Sequence, residues 1–235
     1  MMVQVAAATH VGQVRENNED CLYVDRWVAQ TSGSFLESAF GLGEEPLALA
    51  VVDGMGGYTG GAVASITAAL ALGSQPLEDL GEALSELSRQ VADHGRSMAG
   101  HGAMGATIAG VVLTAGEARI FNVGDSRVFR LVDGYLGQVS VDDLVPDPTG
   151  VRKGFVSQSL GGPTERRLDP HEMAVPIEPG AVFLLCSDGL HDCVGRDEIA
   201  SALEREPSAA VTELVTLALD AGAPDNVSVI VARVE

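Results

Sequence analysis

Apolar residues fall along this chain in short runs of strand length and in longer stretches with a helical period. Val3 to Thr9, Leu47 to Val52, Thr107 to Leu113, Ala118 to Val123 and Arg127 to Leu131 each predict a strand, as do Glu172 to Ile177, Ala181 to Cys186 and Val227 to Val234. Cys21 to Val28 resumes an apolar pattern after a polar loop over 12–20. Asp133-Gly134, set between Val132 and Tyr135, is a strong hairpin signal. Ala62 to Leu72 is almost wholly apolar and predicts a buried helix. From about Leu77 to Met98, Leu80, Ala83, Leu84, Leu87 and Val91 recur on one helical face. Arg196 to Arg205 and Ser208 to Leu219 predict two more amphipathic helices, the second with Pro207 just before it. Residues 29–46, rich in Gly, Ser and Glu, read as a long surface loop, and 141–158 as a polar, mobile one.

Strands that arrive in hairpins, with helices in pairs between them, predict an α+β fold with antiparallel sheets in a layered sandwich. No repeat or linker divides the 235 residues, so a single domain over 1–235 is expected. No apolar run reaches the roughly 18 residues a membrane span needs. The start, MMVQVAAATHVGQVR, lacks the basic and apolar regions of a signal peptide. Cys21, Cys186 and Cys193 show no CxxC spacing, so neither a disulfide framework nor a zinc site is expected, and a cytoplasmic location is. The chain carries 14 basic against 33 acidic residues, which argues against nucleic acid as a partner. The acidity itself fits either plain solubility or carboxylates gathered around hard cations.

The stretch Val51-Val52-Asp53-Gly54-Met55-Gly56-Gly57 ends a strand on a carboxylate followed by glycines. Taken alone, Asp-Gly is an ordinary turn. The construction recurs, however. Gly124-Asp125-Ser126 and Ser187-Asp188-Gly189 end two further strands, Asp225-Asn226 precedes the last one, and Glu19-Asp20 follows Asn18. Each could serve as a turn cap or a solvated charge. Gathered at one sheet edge they would repel one another unless cations held them, and an oxygen-only set suits Mg²⁺ or Mn²⁺.

With these blocks the sequence resembles the type 2C (PPM) metal-dependent protein serine/threonine phosphatases, in their bacterial branch. THVGQVRENNED, LAVVDGMGG, GATIAGVVL, NVGDSRVFR, LLCSDGL and DNVSVIVA occur in the family's order and span Thr9 to Ala232. The resemblance implies a four-layer α-β-β-α sandwich with a two-metal centre at one edge. It implies that Asp53 bridges two metals, Mn²⁺ or Mg²⁺, with the Gly54 carbonyl on one of them. Glu19 would hold the second metal, Asp188 and Asp225 the first, and Asp125 a third, weaker one. Asp20 would orient metal-bound water, and Arg15 would grip the substrate phosphate. The implied partners are phosphorylated proteins and a Ser/Thr kinase, the implied state a monomer.

The chain departs from the family pattern in places. Met55 stands where animal members often have a histidine acid, so metal-bound water is the implied proton donor. His191 is expected to be structural or at the surface, and His10, His94, His101 and His171 lack ligand spacing. Ala106 replaces a threonine, while Tyr58 and Ala62 alter the cleft rim. The flap at 141–158 is short and the 29–46 loop long. The three cysteines are expected to be small buried hydrophobes. A pseudophosphatase that binds phosphoproteins without turnover is the alternative, although such proteins typically lose the metal aspartates retained here. A sporulation- or stress-type phosphatase usually lacks the intact RxxNED block. A nucleotide-binding protein is disfavoured by the lack of GxxxxGK[ST] and GxGxxG.

Overall fold

The computed structural model describes residues 1–43, 45–56, 60–98, 104–147, 155–162 and 167–235. Gly57, Tyr58 and His101 lie outside the described residues, as do residues 148–154 of the expected flap. In chain order the first elements are β1 (Met2–His10), β2 (Asp20–Val24), β3 (Trp27–Ala29), β4 (Ser34–Gly41), β5 (Leu47–Met55), α1 (Gly60–Leu72) and α2 (Leu80–Ser97). There follow β6 (Gly105–Leu113), β7 (Glu117–Val123), β8 (Arg127–Val132), β9 (Tyr135–Gln138), β10 (Leu144–Val145), β11 (Phe155–Val156), β12 (Leu160–Gly161) and β13 (His171–Pro176). The chain closes with β14 (Val182–Cys186), α3 (Asp188–His191), α4 (Arg196–Ala202), α5 (Pro207–Asp220) and β15 (Val227–Val234).

Two antiparallel sheets result. One runs β4-β1-β15-β14-β8-β9, the other β13-β7-β6-β5-β2-β3 with β12 paired to β6. Because successive strand side chains point to opposite faces, each central strand feeds two cores. Leu47, Leu49 and Val51 of β5 enter the core between the sheets, while Ala48, Ala50 and Val52 pack against α1 and α2. Ile230, Ala232 and Val234 of β15 likewise face the other sheet, and Val227, Val229 and Val231 lie under α3, α4 and α5. Three apolar layers therefore separate four layers of structure, helices outside and sheets inside. That is the α+β sandwich expected. Among the described residues no helix is long and apolar enough to cross a membrane.

Most predicted elements fall within a few residues of the observed ones. Asp133 and Gly134 both take left-handed backbone (φ 52° and 77°), which closes the β8–β9 hairpin as their sequence demands. α2 starts at Leu80 rather than Leu77, because the Asp79 carboxylate accepts the Glu82 amide at 2.9 Å and caps the helix there.

Two expectations are corrected. Residues 29–46 are not one surface loop: Ser34–Gly41 is a full edge strand paired along β1. Its Leu36 and Phe40 alternate inward against the core between the sheets, a period that the Gly, Ser and Glu around them obscured. Nor are the described parts of 141–158 a loose loop. Leu144–Val145 pairs with Phe155–Val156, the Asp142 carboxylate accepts two bonds from Arg127 (2.6 and 3.0 Å, to one oxygen), and Asp143 accepts the Gly124 amide at 2.9 Å.

Candidate metal centre

The period that builds the core also delivers the polar residues. On β5 the residues facing the other sheet are Leu47, Leu49 and Val51, and the next in step is Asp53. On β2 the inward pair Leu22 and Val24 is preceded in step by Asp20, which lies directly across from Asp53 in the ladder. The same step places Thr9, Thr107, Ser187 and Ser228 at strand ends facing the other sheet, and all four are buried. The inner face of the sandwich is thus apolar along its length and switches to carboxylates and hydroxyls at one end.

The hydroxyls anchor the acids. Ser187 Oγ donates to Asp20 Oδ2 at 2.7 Å and accepts the Ser228 amide at 3.0 Å. Thr9 Oγ1 lies 2.7 Å from Ser228 Oγ, and Asn18 Nδ2 donates to Thr9 Oγ1 at 2.7 Å. Asn226, also buried, clamps the loop between β1 and β2. Its Oδ1 accepts the Glu19 amide at 2.7 Å, and its Nδ2 donates to the Val11 and Asn17 carbonyls at 2.8 and 3.0 Å. The Asn226 amide in turn donates to Asp225 Oδ1 at 2.9 Å. One side chain therefore joins the segment carrying Arg15 and Glu19 to the segment carrying Asp225.

Close backbone approaches fix the rest. A Cβ on Gly54 would lie 2.0 Å from the Gly61 carbonyl oxygen and 2.7 Å from the Glu19 carbonyl oxygen. Gly54 is therefore required where the end of β5 meets the start of α1, a steric reason independent of any ligand. A Cβ on Gly61 would fall 2.7 Å from Gly54 O and 2.8 Å from Glu19 Oε1, so the Gly54 carbonyl and the Glu19 carboxylate converge on one side of α1. Gly189 packs as tightly on the Asn226 carbonyl, at 2.0 Å from its would-be Cβ, and this seats α3 with Asp188 at its first position.

Like charges dominate the electrostatics. Burial pushes the Asp53 carboxyl well above the ordinary range, and the neighbouring Asp20, Asp188, Asp225 and Asp125 push it further. Asp20 rises to about 7, from burial first, against the opposing bonds of Ser187 and Ser228 and with Asp188 and Asp225 adding to the rise. Glu19 is raised by its own burial, with Arg15 pulling the other way. Arg15 Nη2 is 2.7 Å from Asp225 Oδ2, and that bond, chiefly, raises the guanidinium pKa.

The structure thus brings Glu19, Asp20, Asp53, Gly54, Asp125, Asp188 and Asp225 to one end of the sandwich, with Arg15 at the rim. Among the described residues no three His, Cys, Asp or Glu side chains stand close enough together to ligate one ion as they are. Asp225 is turned to Arg15 and Asp20 to Ser187. The donor set nevertheless fits divalent metals. It is all oxygen, it includes a backbone carbonyl, and its central carboxylate lies among acids that only a cation would reconcile.

Ser187, Asn226, Ser228 and Gly61 were not singled out as site residues from the sequence. Ser187 and Ser228 carry a legible signal, a polar residue in step with an inward apolar series. Asn226 carries none beyond its place after Asp225. The His191 side chain is turned inward, and its Nε2 donates to the Asp125 carbonyl at 3.1 Å, so it braces the turn that carries Asp125. Cys21 and Cys186 are buried and Cys193 half-buried.

Sandwich and acidic end together define a class. The family model described as protein phosphatase 2C matches residues 31–221. The chain therefore belongs to the protein phosphatase 2C family. The match covers Asp53, Asp125 and Asp188; Arg15, Glu19, Asp20 and Asp225 lie beyond its ends. Those four lie within the alignment to the serine/threonine protein phosphatase PstP of Mycobacterium tuberculosis, which is 32% identical over all of this chain. The chain spans 45% of that relative's length. Among solved structures, PppA, a regulatory component of the T6SS in Pseudomonas aeruginosa, is 29% identical with a TM-score of 0.80, over 98% of this chain and 97% of its own. The catalytic domain of PstP in complex with two manganese ions is 29% identical with a TM-score of 0.76, each chain fully covered.

Proposed function

We propose that the protein hydrolyses phosphoserine and phosphothreonine in other proteins, dependent on two divalent metals, Mn²⁺ or Mg²⁺, and so opposes a Ser/Thr kinase. The observation that carries this reading is the half-buried Asp53 carboxylate set among four other aspartates at one end of a phosphatase-2C fold. The manganese ions of the PstP catalytic domain support the choice of metal. Asp53 would hold both ions, Glu19 and the Gly54 carbonyl one side, Asp188 and Asp225 the other, and Asp125 a third and weaker one. When bound, such ions offset phosphoryl charge and acidify a water at neutral pH.

The chain's own residues would supply positioning and charge. Arg15, half exposed at the rim and bonded to Asp225, would exchange that partner for the oxygens of a phosphate, which a guanidinium grips in two-pronged fashion. Asp20, held by Ser187, would accept and orient the attacking water's proton. Residues 1–235 would form one catalytic domain, working as a monomer in the cytoplasm. No covalent phosphoenzyme is required, and Cys21 and Cys186 suit that, since burial pushes both thiols far up, Cys21 to about 12.

The test is turnover of p-nitrophenyl phosphate and of a phosphothreonine peptide, with and without Mn²⁺, by the wild type and by Asp53→Asn. Mn²⁺-dependent turnover that the substitution abolishes is expected. A folded, metal-saturated wild type that hydrolyses neither would refute the enzyme and favour the alternative, a pseudophosphatase that binds phosphoproteins as a regulator.

A further inference from the structure

Beside the flap lies a cavity of about 1030 Å³ between α2 and the segments 156–161 and 167–169. Its wall includes Ser88, Arg89, Arg96, Ser157, Ser159 and Arg167. Three guanidinium groups in one cavity are notable in a chain with 14 basic and 33 acidic residues. Their availability differs. Arg89 is used up within α2, shared between Glu86 and Asp93. Arg96 gives one nitrogen to Asp93 and makes no other side-chain bond among the described residues. Arg167 is exposed and has no ion-pair partner among the described residues. Ion pairs on an exposed helix surface are worth little, so an incoming anion can exchange into them.

Two carboxylates also face the cavity, Asp143 and Asp169. Asp143 is turned onto hydrogen-bond donors of its own. Its Oδ2 accepts the Gly124 amide at 2.9 Å and Gln158 Nε2 at 3.0 Å, and its Oδ1 is 2.8 Å from His171 Nε2. Asp143 also joins this cavity to the acidic end, because Gly124 immediately precedes Asp125. Through that Asp143–Gly124 contact the cavity adjoins the acidic end, within reach of a peptide whose phosphoresidue sits there, and the guanidinium groups of Arg96 and Arg167 offer N–H donors to negative charge.

We propose that this cavity is a substrate-selecting subsite that takes an acidic side chain, Asp or Glu, flanking the phosphoresidue, with Arg96 and Arg167 as its anchors. The inference rests on the phosphatase reading above. It predicts a preference for acidic-flanked phosphopeptides although the enzyme is itself strongly acidic.

The experiment compares one phosphothreonine peptide with acidic flanks and one with Ser and Gly flanks, using wild type and the R96A/R167A double variant with Mn²⁺, at low salt. The expected result is a lower KM for the acidic peptide in wild type, lost by about fivefold or more in the variant. kcat and p-nitrophenyl phosphate turnover should stay unchanged. Equal KM values for the two peptides in wild type, or a preference that survives in the variant, overturns the subsite. If wild type turns over neither peptide nor p-nitrophenyl phosphate, the phosphatase reading fails instead. In that case fluorescence anisotropy of the labelled acidic peptide decides: binding that the variant loses supports the cavity, and no binding overturns it.

Discussion

Asn226 offers the sharpest test of how the site is held. Replacing it with Ala removes three hydrogen bonds, at 2.7, 2.8 and 3.0 Å, from a buried side chain that joins the Arg15–Glu19 loop to Asp225. At about 1 kcal/mol net for each bond, the loss is about 3 kcal/mol. Water reaching the Asn17 carbonyl on the exposed loop lowers this to roughly 2–3 kcal/mol. Asn226→Asp is nearly isosteric and keeps the acceptor for the Glu19 amide, so a view based on shape alone expects it to be mild. It removes both donors, however, and sets a carboxylate against two carbonyl oxygens beside an acidic cluster. The Asp variant should therefore lose at least as much stability as the Ala variant. Urea unfolding of the metal-free protein measures both losses, and Mn²⁺ titration should show weakened binding in each, because Glu19 is no longer held. A loss below about 0.5 kcal/mol for Ala, or an Asp variant much milder than Ala, would refute the clamp.

Other consequences follow from packing and charge. Gly61→Ala should gain up to about 1 kcal/mol of helix propensity yet lose about 1–3 kcal/mol to overpacking, since its Cβ would press on Gly54 O and Glu19 Oε1. Net destabilisation with weaker Mn²⁺ binding is expected, whereas a more stable variant with normal binding would contradict the convergence of those two groups. In the metal-free protein, the raised pKa values of Asp20, about 7, and Asp53 mean that the folded state binds more protons than the unfolded one. Stability should therefore fall as pH rises from about 4 through about 7. The rise in Tm on adding Mn²⁺ should be larger at pH 7.5 than at pH 5, and an equal rise at both would count against a carboxylate cluster reconciled by cations.

Much of this was legible because a single rule, the alternation of strand side chains, governs both core and site. The run ending at Asp53 reads as a strand end, whereas Asp20 reads as the last residue of a polar loop; the ladder makes it the first residue of β2 and sets it opposite Asp53. The hidden parts obey other rules. β4 escaped notice because an edge strand needs only one apolar face, and Leu36 and Phe40 are sparse among Gly, Ser and Glu. The short pairing of β10 with β11 depends on Asp142 and Asp143 finding Arg127 and Gly124, contacts with no local signature. The reach of Asn226 across to Glu19 joins residues more than 200 positions apart, and no period in the sequence announces it.

The central claim is that Asp53 is the carboxylate on which the metal centre depends. Isothermal titration of Mn²⁺ into the metal-free wild type and into Asp53→Asn, each shown by circular dichroism to be folded, tests it most directly. The account predicts two ions bound per wild-type chain and both sites lost or severely weakened in the variant. Undiminished binding of two ions by Asp53→Asn would contradict it.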